Sequence, residues 1–129
     1  MVHAFLIFIG GGLGAVARHF SGLLALRFLG AGFPYGTLFV NVLGSLAMGL
    51  FIGWLVRSGA EGNNLRLIVA TGFLGGFTTF SAFSLDFANL WTRGETALAL
   101  GYVATSVCLS PTSPVPPMRW RRPPIRNTQ

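Results

Sequence analysis

The sequence predicts an all-α integral membrane protein, a four-helix subunit whose third span is broken near its middle. Three observations predict it. The 129 residues are 52 % hydrophobic and 9 % charged, with a mean hydropathy of +0.64, far too apolar for a soluble domain of this size. Three stretches reach the roughly 20 apolar residues that a bilayer span requires. Within the third, residues 72–84 gather three glycines, two adjacent threonines, two serines and four phenylalanines inside an uncharged run, 67–85. Hydrocarbon penalises unsatisfied backbone and hydroxyl groups by several kcal/mol, so irregular polar backbone at that depth belongs inside protein or along a water-filled path. The segment reads as the wall of a conduit.

The first span covers about 4–28 and is interrupted by Arg18 and His19. An apolar N-terminus could be a signal peptide, but there is no basic n-region. Arg18 also stands where a small-residue cleavage site would be needed. The second span, about 35–56, carries no charge, and the third covers about 65–91. A fourth stretch, 96–109, has only fourteen residues, about 21 Å of helix against a hydrocarbon core of about 30 Å. It is therefore predicted as a helix that is incomplete as a span.

Composition changes abruptly at about Cys108. Ser110-Pro-Thr-Ser-Pro-Val-Pro-Pro117 cannot continue a helix, and four of the nine arginines (Arg119, Arg121, Arg122, Arg126) lie in the last eleven residues. The chain thus divides into a transmembrane domain, 1–109, and a Pro/Arg-rich tail, 110–129, expected to be disordered. Two readings of the tail stand: a natural extension, or a terminus altered by, for example, a shifted reading frame. Without it the chain has five arginines against three acids, which gives no ground for nucleic-acid binding.

The connecting loops are short, so neighbouring helices are antiparallel. Arg57 and Arg66 fall on one side of the membrane and Arg27 and Arg93 on the other. Basic residues in short loops set orientation, and two against two leaves it nearly unspecified. Ser45, Gly49 and Gly53 repeat every four residues in the second span, and Gly10 and Gly14 do so in the first. Both stripes read as packing surfaces for close helix contact.

Asn41 lies within the second span. An intramembrane amide requires partners, and its two N–H groups are donors. Neither of the first two spans nor the 67–85 run holds an acid. A proton-coupled cation exporter of this size needs a membrane carboxylate, which weakens the rival of a small multidrug-type transporter. The available lining is a set of donors: the Asn41 amide and the hydroxyls of Thr78, Thr79, Ser81 and Ser84. Phe80 and Phe83, three apart, share a helix face, and a phenyl ring is positive at its edge. This set suits a small anion. An enzyme finds no support, because His3, His19, Cys108 and three acids form no nucleophile–base or metal-ligand pattern.

Three segments together carry a resemblance: Gly11-Gly-Leu-Gly-Ala-Val-Ala-Arg18, Gly36-Thr-Leu-Phe-Val-Asn-Val-Leu-Gly-Ser45 and Gly72-Phe-Leu-Gly-Gly-Phe-Thr-Thr-Phe-Ser-Ala-Phe-Ser84. They resemble the signature segments of the Fluc (CrcB) fluoride channels, over about residues 4–105. The resemblance implies a multi-pass subunit of the bacterial inner membrane, assembled as an antiparallel, dual-topology homodimer that lets fluoride leak out passively. By the same resemblance, Asn41, Thr79, Phe80, Ser81, Phe83 and Ser84 line the fluoride path. Gly75 and Thr78 mark the break in the third helix, and their carbonyls hold a structural sodium ion at the dimer centre. Arg18 matches an arginine of the first helix, placed at a vestibule or snorkelling to the interface. Asp86 receives no assignment, and Tyr102 and Ser106 are candidate lining residues on the fourth helix. The rival from another class is a non-conducting structural remnant, suggested by the altered fourth helix.

Overall fold

A computed structural model describes residues 1–59 and 64–109. The expected disorder of 110–129 and the course of the chain beyond Leu109 lie outside the described residues. Helix α1 spans Val2–Leu29 and α2 spans Tyr35–Ser58. The third crossing comprises a π-helix, π1 (Arg66–Leu74), a single turn, α3 (Gly75–Phe77), and α4 (Phe80–Thr92). Helix α5 covers Thr96–Leu109 among the described residues. No strand occurs among the described residues. α1, α2 and the 66–92 crossing are long and apolar enough to span a membrane, and α5 is a shorter apolar helix. The protein is an all-α, multi-pass membrane protein.

Large apolar side chains cover its outside: Phe5, Phe8, Phe20, Leu50, Leu85 and Val107 are all exposed. In water such a surface would aggregate; in lipid it costs nothing, and interhelical packing must come from close contact instead. That contact is made by glycines of α1 against the third crossing. A Cβ on Gly10 would collide with the Ile68 carbonyl, and one on Gly14 would collide with the Phe73 carbonyl. A Cβ on Gly72 would lie 2.9 Å from the Gly10 Cα, and one on Gly76 would run into the Gly11 carbonyl. The two backbones therefore touch directly, and the Gly10/Gly14 stripe packs as expected.

The second-span stripe behaves differently. A Cβ on Gly53 would meet nothing within 4 Å. The tight position on α2 is Gly44, whose added Cβ would strike the Thr78 methyl group and lie 3.2 Å from the Phe77 ring. α5 is held against α4 by a buried cluster of Leu90, Ala99 and Tyr102, with Phe33, Leu38, Phe83 and Phe87 packed around it. A tight turn joins these two helices, with Gly94 at φ 78°. Arg93 pairs with Glu95 at 2.8 Å across it. That exposed ion pair contributes about 1 kcal/mol or less.

Candidate functional site

The break lies at Thr78 and Thr79, which are extended at φ −77°, ψ 159° and φ −154°, ψ 121°. Gly75, expected to help break the helix, remains helical at φ −63°, ψ −38°. Capping, rather than glycine flexibility, makes the break. The Thr79 side chain accepts the Ala82 N–H at 3.2 Å, an N-cap bond to the third residue of α4. The Thr78 N–H and Oγ1 both donate to the Leu74 carbonyl, each at 3.1 Å, and close the preceding turn.

Asn41 grips the break from α2. Its Nδ2 donates to the Thr79 carbonyl at 2.9 Å, and its Oδ1 accepts the Thr79 N–H at 2.7 Å. Both bonds are short, and the second satisfies a backbone N–H that the break leaves without a helical partner. They also fix which amide atom is oxygen. One N–H of Asn41 remains for another acceptor.

These bonds release two carbonyls. In an unbroken helix Thr79 N–H would bond the Gly75 carbonyl, and Ala82 N–H would bond the Thr78 carbonyl. Asn41 and the Thr79 hydroxyl take those donors instead. The freed Thr78 carbonyl accepts from the Arg18 guanidinium at 3.4 Å. Arg18 thus turns inward to the break instead of snorkelling.

Beside the break is a pocket of about 450 Å³ lined by Asn41, Ser45, Thr78, Thr79, Phe80, Phe83, Ser106 and Val107. Four of the six sequence-predicted path residues meet there: Asn41, Thr79, Phe80 and Phe83. Ser81 and Ser84 are not among the lining. The Ser81 hydroxyl exchanges a hydrogen bond with Thr79 Oγ1 at 3.1 Å, and Ser84 donates back to the Phe80 carbonyl at 3.0 Å. Ser45, read as a packing residue, lines the pocket instead.

Ser106 is 7 % exposed, and its Oγ makes no hydrogen bond. A buried hydroxyl left without a partner is costly, and here it borders an open, largely apolar cavity. The aromatic rings form a continuous row. Phe80 and Phe83 have centroids 5.6 Å apart, Phe83 stacks on Tyr102 at 5.1 Å, and Phe33 meets Tyr102 edge-on at 5.6 Å. The Tyr102 hydroxyl donates to Asp86 at 3.4 Å, which gives Asp86 a partner that no sequence pattern signalled. Phe80 begins this row and is 79 % exposed, so the pocket is open on that side.

The charge arrangement favours anions at the pocket. The N-terminus of α4 opens at Phe80, and a helix N-terminus carries a partial positive charge. No group of three or more acid, histidine or cysteine side chains suited to a metal occurs among the described residues. A multi-pass fold with a broken span, donors at mid-span and no carboxylate in the pocket defines a membrane protein of the ion-conducting class. The family model described as CrcB-like protein, Camphor Resistance (CrcB), matches residues 5–114, and the chain belongs to that family. The rival of a small multidrug-type transporter is not favoured.

The relatives agree. A fluoride-specific ion channel FluC of Mesorhizobium japonicum is 55 % identical over 107 residues, covering 83 % of this chain and 86 % of its own. One from Rhodopseudomonas palustris strain BisB5 is 53 % identical, covering 81 % and 85 %. Another, from Rhizobium etli strain CIAT 652, is 50 % identical over 110 residues, covering 85 % and 88 %.

Proposed function

We propose that the chain is a subunit of a fluoride-selective passive channel that lowers cytoplasmic fluoride. The observation that carries this reading is the pocket at the break. It joins a spare Asn41 N–H, the unpartnered Ser106 hydroxyl and the Phe80–Phe83 ring pair at the positive end of α4. The names of the relatives supply the identity of the anion.

Fluoride entering such a path exchanges its water for these donors one or two at a time. The Thr79–Ser81 hydroxyl pair uses one of its two protons internally and has one left to offer. Ser84 spends its proton on the Phe80 carbonyl, so its share is to orient that turn of α4. Ring edges of Phe80 and Phe83 add weak positive potential without a strong bond. Several weak sites in sequence permit both entry and release, which conduction requires.

The open side beside Phe80 is closed, in this reading, by a second copy in antiparallel orientation within the bacterial inner membrane. The two-against-two arginine balance suits such dual topology. The released Gly75 and Thr78 carbonyls are oxygen donors of the kind a hard cation prefers. The Arg18 guanidinium already stands at one of them as a cation, so the residues fit a sodium ion shared between two protomers. Bound there, the ion would neutralise carbonyl dipoles that otherwise repel fluoride.

Liposomes loaded with potassium fluoride and carrying the purified dimer should release fluoride and retain chloride when tested with potassium chloride. A folded dimer that releases neither, or both alike, overturns the reading. Ser106→Ala should lower fluoride flux about tenfold, the loss of one donor's worth of stabilisation. Dimer yield should be unchanged, because Ser106 Oγ has no protein partner to lose. Equal flux in this variant would remove Ser106 from the path.

A further inference from the structure

The contact between Arg18 and the Thr78 carbonyl points to a control on assembly. Arg18 comes from the middle of α1, and its guanidinium reaches a carbonyl that the break has released. Among the described residues no acid pairs with it, because Asp86 bonds Tyr102 and Glu95 pairs with Arg93. A lone arginine at membrane depth is costly. Its compensation here is the negative end of the π1–α3 helical segment, where carbonyls carry the helix dipole's partial charge. The same carbonyl is one of the two assigned above to sodium.

We propose that Arg18 and sodium are alternative partners of the Thr78 carbonyl, so that Arg18 sets the sodium concentration at which the dimer forms. The inference rests on the sodium reading of the released carbonyls. Two full positive charges on one oxygen would stand within a few ångströms of each other in a poorly screening interior, where their repulsion is large. The Arg18 bond is also the longest that the break makes, 3.4 Å against 2.7 and 2.9 Å for Asn41. It is the bond of that set most easily given up. In the single protomer the guanidinium covers the carbonyl, and on pairing, the ion displaces it.

The test uses the full chain in lipid nanodiscs or mild detergent. Dimer fraction and thermal midpoint are followed against sodium chloride, with N-methyl-D-glucamine chloride holding ionic strength constant. Arg18→Gln should reach half-maximal dimer at sodium about tenfold lower than the wild type, the factor supplied by removing one charge-assisted competitor. An unchanged or higher sodium requirement in the variant, with the wild type still responsive, overturns the competition and leaves the sodium reading standing. No sodium response in either protein overturns both.

A second measurement needs no substitution. With arginine labelled by nitrogen-15, the Arg18 guanidinium resonance of the wild type should shift over the same sodium range that drives dimerisation. A resonance that stays fixed while the dimer forms also sinks the proposal.

Discussion

Asn41→Asp is expected to stop fluoride flux, by about a hundredfold or more, in protein that still inserts in the membrane. The substitution keeps an oxygen for the Thr79 N–H but removes the donor that Nδ2 gives to the Thr79 carbonyl. The new carboxylate oxygen would face that carbonyl at hydrogen-bond distance, two negative ends together. A full negative charge would also stand in a pocket whose use is to pass an anion. Asn41→Ala separates these two effects, because it carries no charge yet abandons both Thr79 groups. The Thr79 N–H left unsatisfied costs about 1–3 kcal/mol, so the alanine variant should show a lowered thermal midpoint together with slowed flux. Fluoride efflux from liposomes and a thermal melt in detergent measure the two. Wild-type flux in Asn41→Asp would show that the clamp and the path are separate structures.

Gly14→Val should leave almost no folded protein. An added Cβ at this position collides with the Phe73 carbonyl and comes within 2.8 Å of the Phe77 N–H nitrogen. Over-packing a core of side chains costs about 1–3 kcal/mol because those side chains can shift. Here the obstruction is backbone on both helices, so relief requires moving α1 away from the segment that positions the break. The cost should reach or exceed the top of that range. Gly12→Ala is the control: its added Cβ meets nothing within 4 Å, and it should behave as the wild type. Size-exclusion profiles and recovered yield separate the two variants. A monodisperse Gly14→Val protein at wild-type yield would mean that the glycine crossing is dispensable.

The spans were legible because lipid demands long uncharged runs, and α1, α2 and 66–92 follow the hydropathy closely. The Gly10/Gly14 stripe was legible as a packing surface, but not its partner, which is a property of the third crossing's placement. The resemblance put the break at Gly75 and Thr78, and Gly75 instead stays helical. The break comes from competition for donors. Thr79 N–H and Ala82 N–H find side-chain oxygens closer than the carbonyls of a continuous helix, and one of those oxygens lies 38 positions away in sequence. Nothing local records such a pairing. Ser81 and Ser84 carry hydroxyls at the right spacing, but Ser84 donates to the Phe80 carbonyl and Ser81 shares one hydrogen bond with Thr79. Sequence put Arg18 at a vestibule or snorkelling to the interface, because the carbonyl that receives it becomes available only through the break.

The Asn41–Thr79 contact has a further meaning. A carboxamide set against the N–H and C=O of one extended residue, each side giving one hydrogen and taking one, resembles the way two nucleobases recognise each other. It works as a two-letter complementarity: donor to acceptor and acceptor to donor, at 2.9 and 2.7 Å. Serine, threonine, aspartate and histidine each offer a single side of that pattern or the wrong spacing, and glutamine offers both sides one methylene too far out. The position therefore reads its partner as a base reads its complement, and a mismatch there is an error of pairing rather than of size.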